Sequence, residues 1–254
     1  MKKIILVFII FFYVNLSAQK SSHFLNKIDN SEIIFDGVVN EDEIKNAAEI
    51  ELKYEISPRY NKQVKQSTVG YIKYTDKYLY VGIIAQRDRV ISNIINRDDW
   101  AMYNGDAISV ELDTYGDARN QIFLVANPSG SLLDAVRLDG SGYSGSGYNL
   151  KKSANFDFKA LGSINDSGYN LEFIIPFSEI PFPNGSNQLW NINIRSRNFE
   201  DRVAITSSSS KANRDATCQL CLMDHEIILK DIIIEKKLDF LPYISGNFSG
   251  ERIN

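Results

Sequence analysis

The chain has 254 residues, 28 of them Lys or Arg and 32 Asp or Glu, for a formal charge of −4, and 44% of it is hydrophobic. That acidic balance, with its lysines scattered rather than clustered, excludes the basic footprint of a nucleic-acid-binding domain. Beyond the N-terminus no stretch approaches the roughly 20 apolar residues that a membrane-spanning helix needs.

Met1-Lys2-Lys3, the uncharged apolar run 4–14 and Leu16-Ser17-Ala18 follow the order of an export signal, with cleavage expected after Ala18. Residues 19–31 are polar and expected to be flexible. Asn40 precedes Glu41-Asp42-Glu43, an N-cap with Glu three residues later, which predicts one or two helical turns. From there the periodicity is that of strands. Residues 66–74 and 78–86 flank Thr75-Asp76-Lys77 and predict a hairpin. In the second run Leu79, Val81, Ile83 and Ala85 share one face and Tyr78, Tyr80, Gly82 and Ile84 the other, so the strand is expected to be central. Residues 107–113 alternate Ile108, Val110 and Leu112 with Ser109 and Glu111, the pattern of a half-buried strand. Residues 121–127 stop at Asn127-Pro128-Ser129-Gly130, and 132–138 resume.

Residues 140–148 form a Gly/Ser segment carrying Tyr143 and Tyr148, either a plain connector or a mobile binding loop. Residues 156–164 and 169–176 flank Asn165-Asp166-Ser167-Gly168, read as a hairpin with a four-residue loop. In 189–198, Trp190, Ile192 and Ile194 alternate with polar residues, which places Trp190 in the core. Ser207 to Ser210 reads as a solvated loop, and 227–235 as a last strand. Cys218 and Cys221 are the only cysteines. In an exported protein they can pair. A redox motif would need a βαβ setting that is not there, and zinc would need two more ligands, with His225 the one histidine nearby. Many short strands broken by Gly, Asn and Pro predict an all-β fold, an antiparallel β-sandwich with one or two short helical turns.

Phe35-Asp36-Gly37, Thr75-Asp76-Lys77-Tyr78-Leu79-Tyr80-Val81-Gly82, Arg97-Asp98-Asp99-Trp100, Gly105-Asp106, Leu112-Asp113, the run 169–177 and Trp190-Asn191-Ile192-Asn193-Ile194-Arg195 together resemble the family 9 carbohydrate-binding module. The resemblance spans about residues 32–200. It is nearest to the N-terminal module of large exported proteins whose C-terminal part resembles an outer-membrane β-barrel. Residues 238–247 resemble the start of that barrel. The expected organisation is therefore a signal peptide at 1–18, a flexible segment at 19–31, a jelly-roll-like sandwich domain at 32–236 and a tail at 237–254 beginning a missing barrel. The expected location is the periplasm, the outer membrane or the exterior.

The resemblance implies a sugar held between tryptophans. Sugar C–H faces stack on aromatic rings, while hydroxyls need paired donors and acceptors. Trp100 matches one of the two tryptophans; Asp98, Asp99, Tyr103, Asn104 and Asp106 would supply partners, and Tyr143 or Tyr148 would replace the second tryptophan. The family's glutamate three residues after Asp106 is Ser109 here. A structural calcium, also implied by the resemblance, would fall to Asp98, Asp99 and Asp106. No G-x-S-x-G motif is present and no carboxylate pair is marked out for glycoside hydrolysis. The expected function is an exported, non-catalytic module binding the end of an oligo- or polysaccharide, linked to carbohydrate catabolism. The alternative is an accessory domain of an outer-membrane barrel protein without a sugar site; a glycoside hydrolase component is a third, weaker reading.

Overall fold

A computed structural model describes residues 20–138, 150–232 and 245–246. The segment 1–18 expected to be a signal peptide, Tyr143, Tyr148 and nearly all of residues 237–254 lie outside the described residues. Among the described residues the chain forms fifteen strands: β1 (Ser21–Phe24), β2 (Ala48–Glu51), β3 (Tyr54–Ser57), β4 (Lys62–Gln63), β5 (Thr68–Tyr74), β6 (Tyr78–Gln86), β7 (Ala107–Asp113), β8 (Asn120–Ala126), β9 (Leu132–Leu138), β10 (Leu150–Lys151), β11 (Lys159–Asn165), β12 (Gly168–Pro176), β13 (Gln188–Glu200), β14 (Val203–Ser208) and β15 (His225–Leu229). The single α-helical turn, α1 (Glu41–Ile44), starts where the sequence places it, with the Glu43 carboxylate accepting from the Asn40 backbone N–H at 2.9 Å.

Two sheets pack face to face. The smaller runs β11-β12-β6-β5-β2, and the larger β10-β9-β8-β7-β13-β14-β3-β4, with β15 beside the first half of β13 and β1 beside β15. Pairing is antiparallel throughout except for β1 with β15. This is the expected all-β sandwich, with β6 central between β12 and β5. Its interior is built by period two. Ile108, Val110 and Leu112 of β7 and Trp190, Ile192 and Ile194 of β13 meet Leu79, Val81 and Ile83 of β6 and Leu171, Phe173 and Ile175 of β12. Each such side chain contributes about 1.5–3 kcal/mol on burial. Trp190 is fully buried, edge-on to Phe177 at 5.9 Å, with its indole N–H donating to Gln188 Oε1 at 3.2 Å.

Four sequence expectations are corrected. The β11–β12 hairpin pairs Asn165 with Gly168, so its loop has two residues, Asp166 and Ser167. Gly168 sits at φ +140°, and a Cβ there would lie 2.0 Å from the Ala85 carbonyl oxygen, which leaves glycine as the residue that fits. Part of the segment expected to be flexible is β1, tied to β15 through four residue pairs. β7 is not half-buried but buried along its whole length, Ser109 and Glu111 included. Ser207 to Ser210 are buried as well, two of them inside β14. The last two share a cause: the outer face of the larger sheet is covered by other parts of the chain.

Candidate functional site

The covering segments are a loop that ends in a 3-10 turn, Trp100–Asn104, and the stretch 211–223 after β14. The first packs Met102 onto Ala107, Phe123, Val125, Leu133 and Ala135, a second apolar cluster on the far side of the sheet from the main core. Between the two covers the sheet floors a cavity of about 370 Å³. That volume lies in the range of about 300–1,000 Å³ common to small-ligand sites.

Polar residues at every second position of four strands make the floor: Ser109 and Glu111 from β7, Gln121 from β8, Arg137 from β9, and Asn193, Arg195 and Arg197 from β13. Glu111 is fully buried at the centre. One oxygen accepts from Ser109 Oγ at 3.2 Å and faces Arg195 Nε at 3.4 Å; the other accepts from Asn193 Nδ2 at 2.9 Å and Gln121 Nε2 at 3.1 Å, with Arg137 Nη1 3.9 Å away. A charge removed from water must be paired and bonded to persist, and Glu111 meets that condition by holding the surrounding donors in place. Asn193 passes the network on: its Oδ1 accepts from Ser208 Oγ (2.9 Å), Ser209 Oγ (2.8 Å) and the Ser210 N–H (3.2 Å), which is how three consecutive serines are buried with partners. Gln121 Oε1 is buried and has no hydrogen-bond partner among the described residues.

Trp100 stands on the rim, half-buried, its ring stacked with Tyr103 (centroids 5.8 Å apart, planes 21°). The exposed Lys152 reaches over the indole, Nζ 4.4 Å from the ring, a contact worth about 0.5–1 kcal/mol at an exposed site. Burial, with Glu111 adding in the same direction, pushes the Tyr103 hydroxyl above its ordinary range, so it stays a neutral donor. The Tyr103 carbonyl accepts from Arg197 Nε at 2.7 Å, tying the rim to β13. The opposite wall carries Gln219, Leu222 and Met223 beside the Cys218–Cys221 disulfide.

Of the residues singled out in the sequence, Trp100 and Tyr103 line the cavity. The other four described ones serve the loop instead. Asp98 accepts from the Asp134 N–H and lies beside Arg97; Asp99 caps the 3-10 turn through the Ala101 N–H at 2.9 Å; Asn104 is exposed away from the cavity. Asp106 is buried beneath the turn, accepting from the Ile91 N–H at 2.7 Å near Arg87, and burial raises its pKa. Each aspartate is committed to a different partner. Among the described residues no three His, Cys, Asp or Glu side chains gather as a metal site, so these residues do not fit the six to eight oxygens that calcium takes. Glu111, Gln121, Arg137, Asn193, Arg195 and Arg197 were not singled out. Their signal was the period-two polar face of β7 and β13, which reads equally as a solvated face.

The fold and the cavity define an antiparallel all-β sandwich whose larger sheet carries a covered polar cavity on its outer face. No family model matches the chain, and no curated protein matches it in sequence. Solved structures do match in fold. A family 9 carbohydrate-binding module from Caldicellulosiruptor kristjanssonii in complex with cellotriose is 15% identical with a TM-score of 0.58, over 87% of this chain and 100% of that one. A family 9 module from the same organism in complex with glucose is 15% identical with a TM-score of 0.56, over 87% and 99%. A candidate carbohydrate-binding protein from Bacteroides uniformis is 11% identical with a TM-score of 0.61, over 83% and 99%. The likeness shows a family 9-like fold.

Proposed function

We propose that the protein is a non-catalytic carbohydrate-binding module and that the cavity on the outer face of the larger sheet holds the saccharide. The observation that carries this is the pairing of a half-exposed indole at the rim with a floor of fixed polar groups. Trp100 offers a face for sugar C–H groups, and Gln121 and the arginines reach hydroxyls. The similar modules in complex with glucose and cellotriose support this reading. A non-catalytic role is supported by the carboxylate content of the lining: Glu111 is its one carboxylate among the described residues, its oxygens already engaged. Hydrolysis of a glycosidic bond takes two.

Export belongs to the same proposal, supported by the N-terminal charge-and-apolar pattern and by a disulfide, which persists in oxidising compartments. Attachment to an outer-membrane barrel and a part in carbohydrate catabolism are proposals resting on the sequence resemblance alone. The test is isothermal titration against glucose, cellotriose and a panel of mono- and oligosaccharides. Trp100→Ala is expected to weaken binding more than about 30-fold, the loss of an interface anchor worth 2 kcal/mol or more. Silence across the panel, or a Trp100→Ala variant that binds as well as the parent, would remove the proposal.

A further inference from the structure

We propose that the cavity prefers an anionic saccharide, one carrying a carboxylate or a sulfate ester on the residue it holds, over the neutral counterpart. This rests on the reading of the cavity as a sugar site and adds the charge of its ligand. The chain as a whole is acidic, with a formal charge of −4. The cavity reverses that balance: Arg137, Arg195, Arg197, Lys211 and Arg214 line it, against the single carboxylate of Glu111.

Glu111 does not cancel this excess. It is fully buried and bonded to Ser109, Gln121 and Asn193 as well as facing Arg195, so it offsets about one cation and offers the ligand no free oxygen. Among the described residues Arg197, Lys211 and Arg214 form no ion pair. Arg197 spends its Nε on the Tyr103 carbonyl, and Lys211 and Arg214 lie over Tyr54 and Tyr60 at 5.3 and 4.6 Å. Lys152 at the Trp100 rim adds another cation beside the mouth.

Hydrogen-bond capacity points the same way. Arginine and lysine only donate. A neutral sugar brings a proton with every hydroxyl and needs an acceptor for each, whereas the charged groups of this wall, Glu111 apart, only donate. Gln121 Oε1 is the buried acceptor left without a partner, enough to orient one hydroxyl. A carboxylate or sulfate takes several donors and returns no proton, and its planar or tripodal oxygens suit the guanidinium fork. A cleft lined by one sign of charge between low-dielectric walls also concentrates ligands of the other sign.

The experiment is isothermal titration of the full chain with matched methyl glycosides: glucose and glucuronate, galactose and galacturonate, mannose and mannuronate, with glucose 6-sulfate separating the two anion chemistries. Sodium acetate and sodium sulfate serve as sugar-free anions. At least one acidic member should bind about tenfold or more tightly than its neutral partner. The advantage should shrink as NaCl is raised, and Lys211→Gln and Arg214→Gln should each reduce it several-fold. Lys211 and Arg214 are exposed, so their variants are expected to fold. Neutral sugars binding as tightly as acidic ones would overturn the charge preference and leave the module reading standing. Inorganic sulfate binding as tightly as any glycoside would mark an anion site without a sugar and overturn it. Silence across the whole panel would overturn both.

Discussion

Asn193 is the residue on which the floor of the cavity can be tested without any ligand. It is almost fully buried on β13 and makes four hydrogen bonds, three through Oδ1 to Ser208, Ser209 and Ser210 and one through Nδ2 to Glu111. Asn193→Ala removes all four at once. The Ser210 N–H keeps Ser208 Oγ at 3.2 Å, and Ser209 Oγ still accepts from the Ile194 N–H at 3.1 Å. What is orphaned is the pair of serine hydroxyl protons, while Glu111 loses one of its donors. A buried polar group left unsatisfied costs about 1–3 kcal/mol, so two hydroxyls near the lower end and a weakened carboxylate give a loss of about 3–4 kcal/mol. At about 2–4 °C per kcal/mol for a domain of this size, the melting temperature should fall by about 6–16 °C. Urea unfolding with linear extrapolation would measure the loss directly, with an unchanged slope if the native surface is kept. Asn193→Asp should cost more at neutral pH and recover part of the loss on acidification, because a second carboxylate beside Glu111 cannot ionise freely. A loss below about 1 kcal/mol for Asn193→Ala would mean that the serines are solvated, as their sequence suggests, and that the network does not hold the floor.

The two tryptophans should separate stability from binding. Trp190→Ala is expected to cost about 3–5 kcal/mol as a core truncation, whereas Trp100→Ala, with its ring half-exposed, should cost no more than about 1.5 kcal/mol on the same urea curves while removing ligand binding. Gly168→Ala should destabilise the β11–β12 hairpin by about 2–3 kcal/mol, read as a lowered urea midpoint, because both its dihedral and the Ala85 carbonyl exclude a methyl group. The His23–His225 contact, Nε2 to Nδ1 at 3.1 Å, joins β1 to β15. Burial holds both imidazoles below their ordinary range; His225 adds to the shift of His23, while Asp224 opposes that of His225. With folded-state values depressed, the unfolded chain takes up protons first, so the pair's stabilisation is complete above about pH 6.5 and is lost as pH falls through the folded-state values. The melting-temperature gap between wild type and His23→Gln should therefore narrow from pH 7.5 to pH 5.5, and a constant gap would refute the coupling.

The larger features were legible because they rest on local patterns. Period-two alternation placed β6, β7, β8, β9, β12 and β13 to within a few residues, and the Asn40–Glu43 pair marked α1 through groups that bond within one turn. Trp190 read as core because its neighbours Ile192 and Ile194 fix the face it shares. What was not legible depends on contacts distant in sequence. β1 is too short to signal itself and exists through β15, about 200 residues on. Ser208 to Ser210, at the end of β14 and just beyond it, look like a solvated loop because nothing local reveals Asn193 as their acceptor. Asp98, Asp99 and Asp106 looked like ligands because acidic residues beside a tryptophan have the chemistry of a sugar site, yet each is consumed in shaping the loop that presents Trp100.

The same distinction explains why the cavity differs in character from the one the resemblance implies. The glutamate that the resemblance would put three residues after Asp106 is Ser109 in this chain. Here the carboxylate is at Glu111, two residues on and therefore on the same face of β7, one pleat further along the floor. At that position it faces Arg195 and Arg137 and is bonded to Asn193 and Gln121, so it serves as the anchor of a donor array. On the proposed reading, a site with an indole at its rim and donors across its floor would discriminate by charge before hydroxyl pattern. Glu111→Gln should accordingly weaken binding of an acidic glycoside by loosening the arginines, even though it removes a negative charge from the cavity. Tighter binding by that variant would show that Glu111 acts by repulsion rather than by positioning.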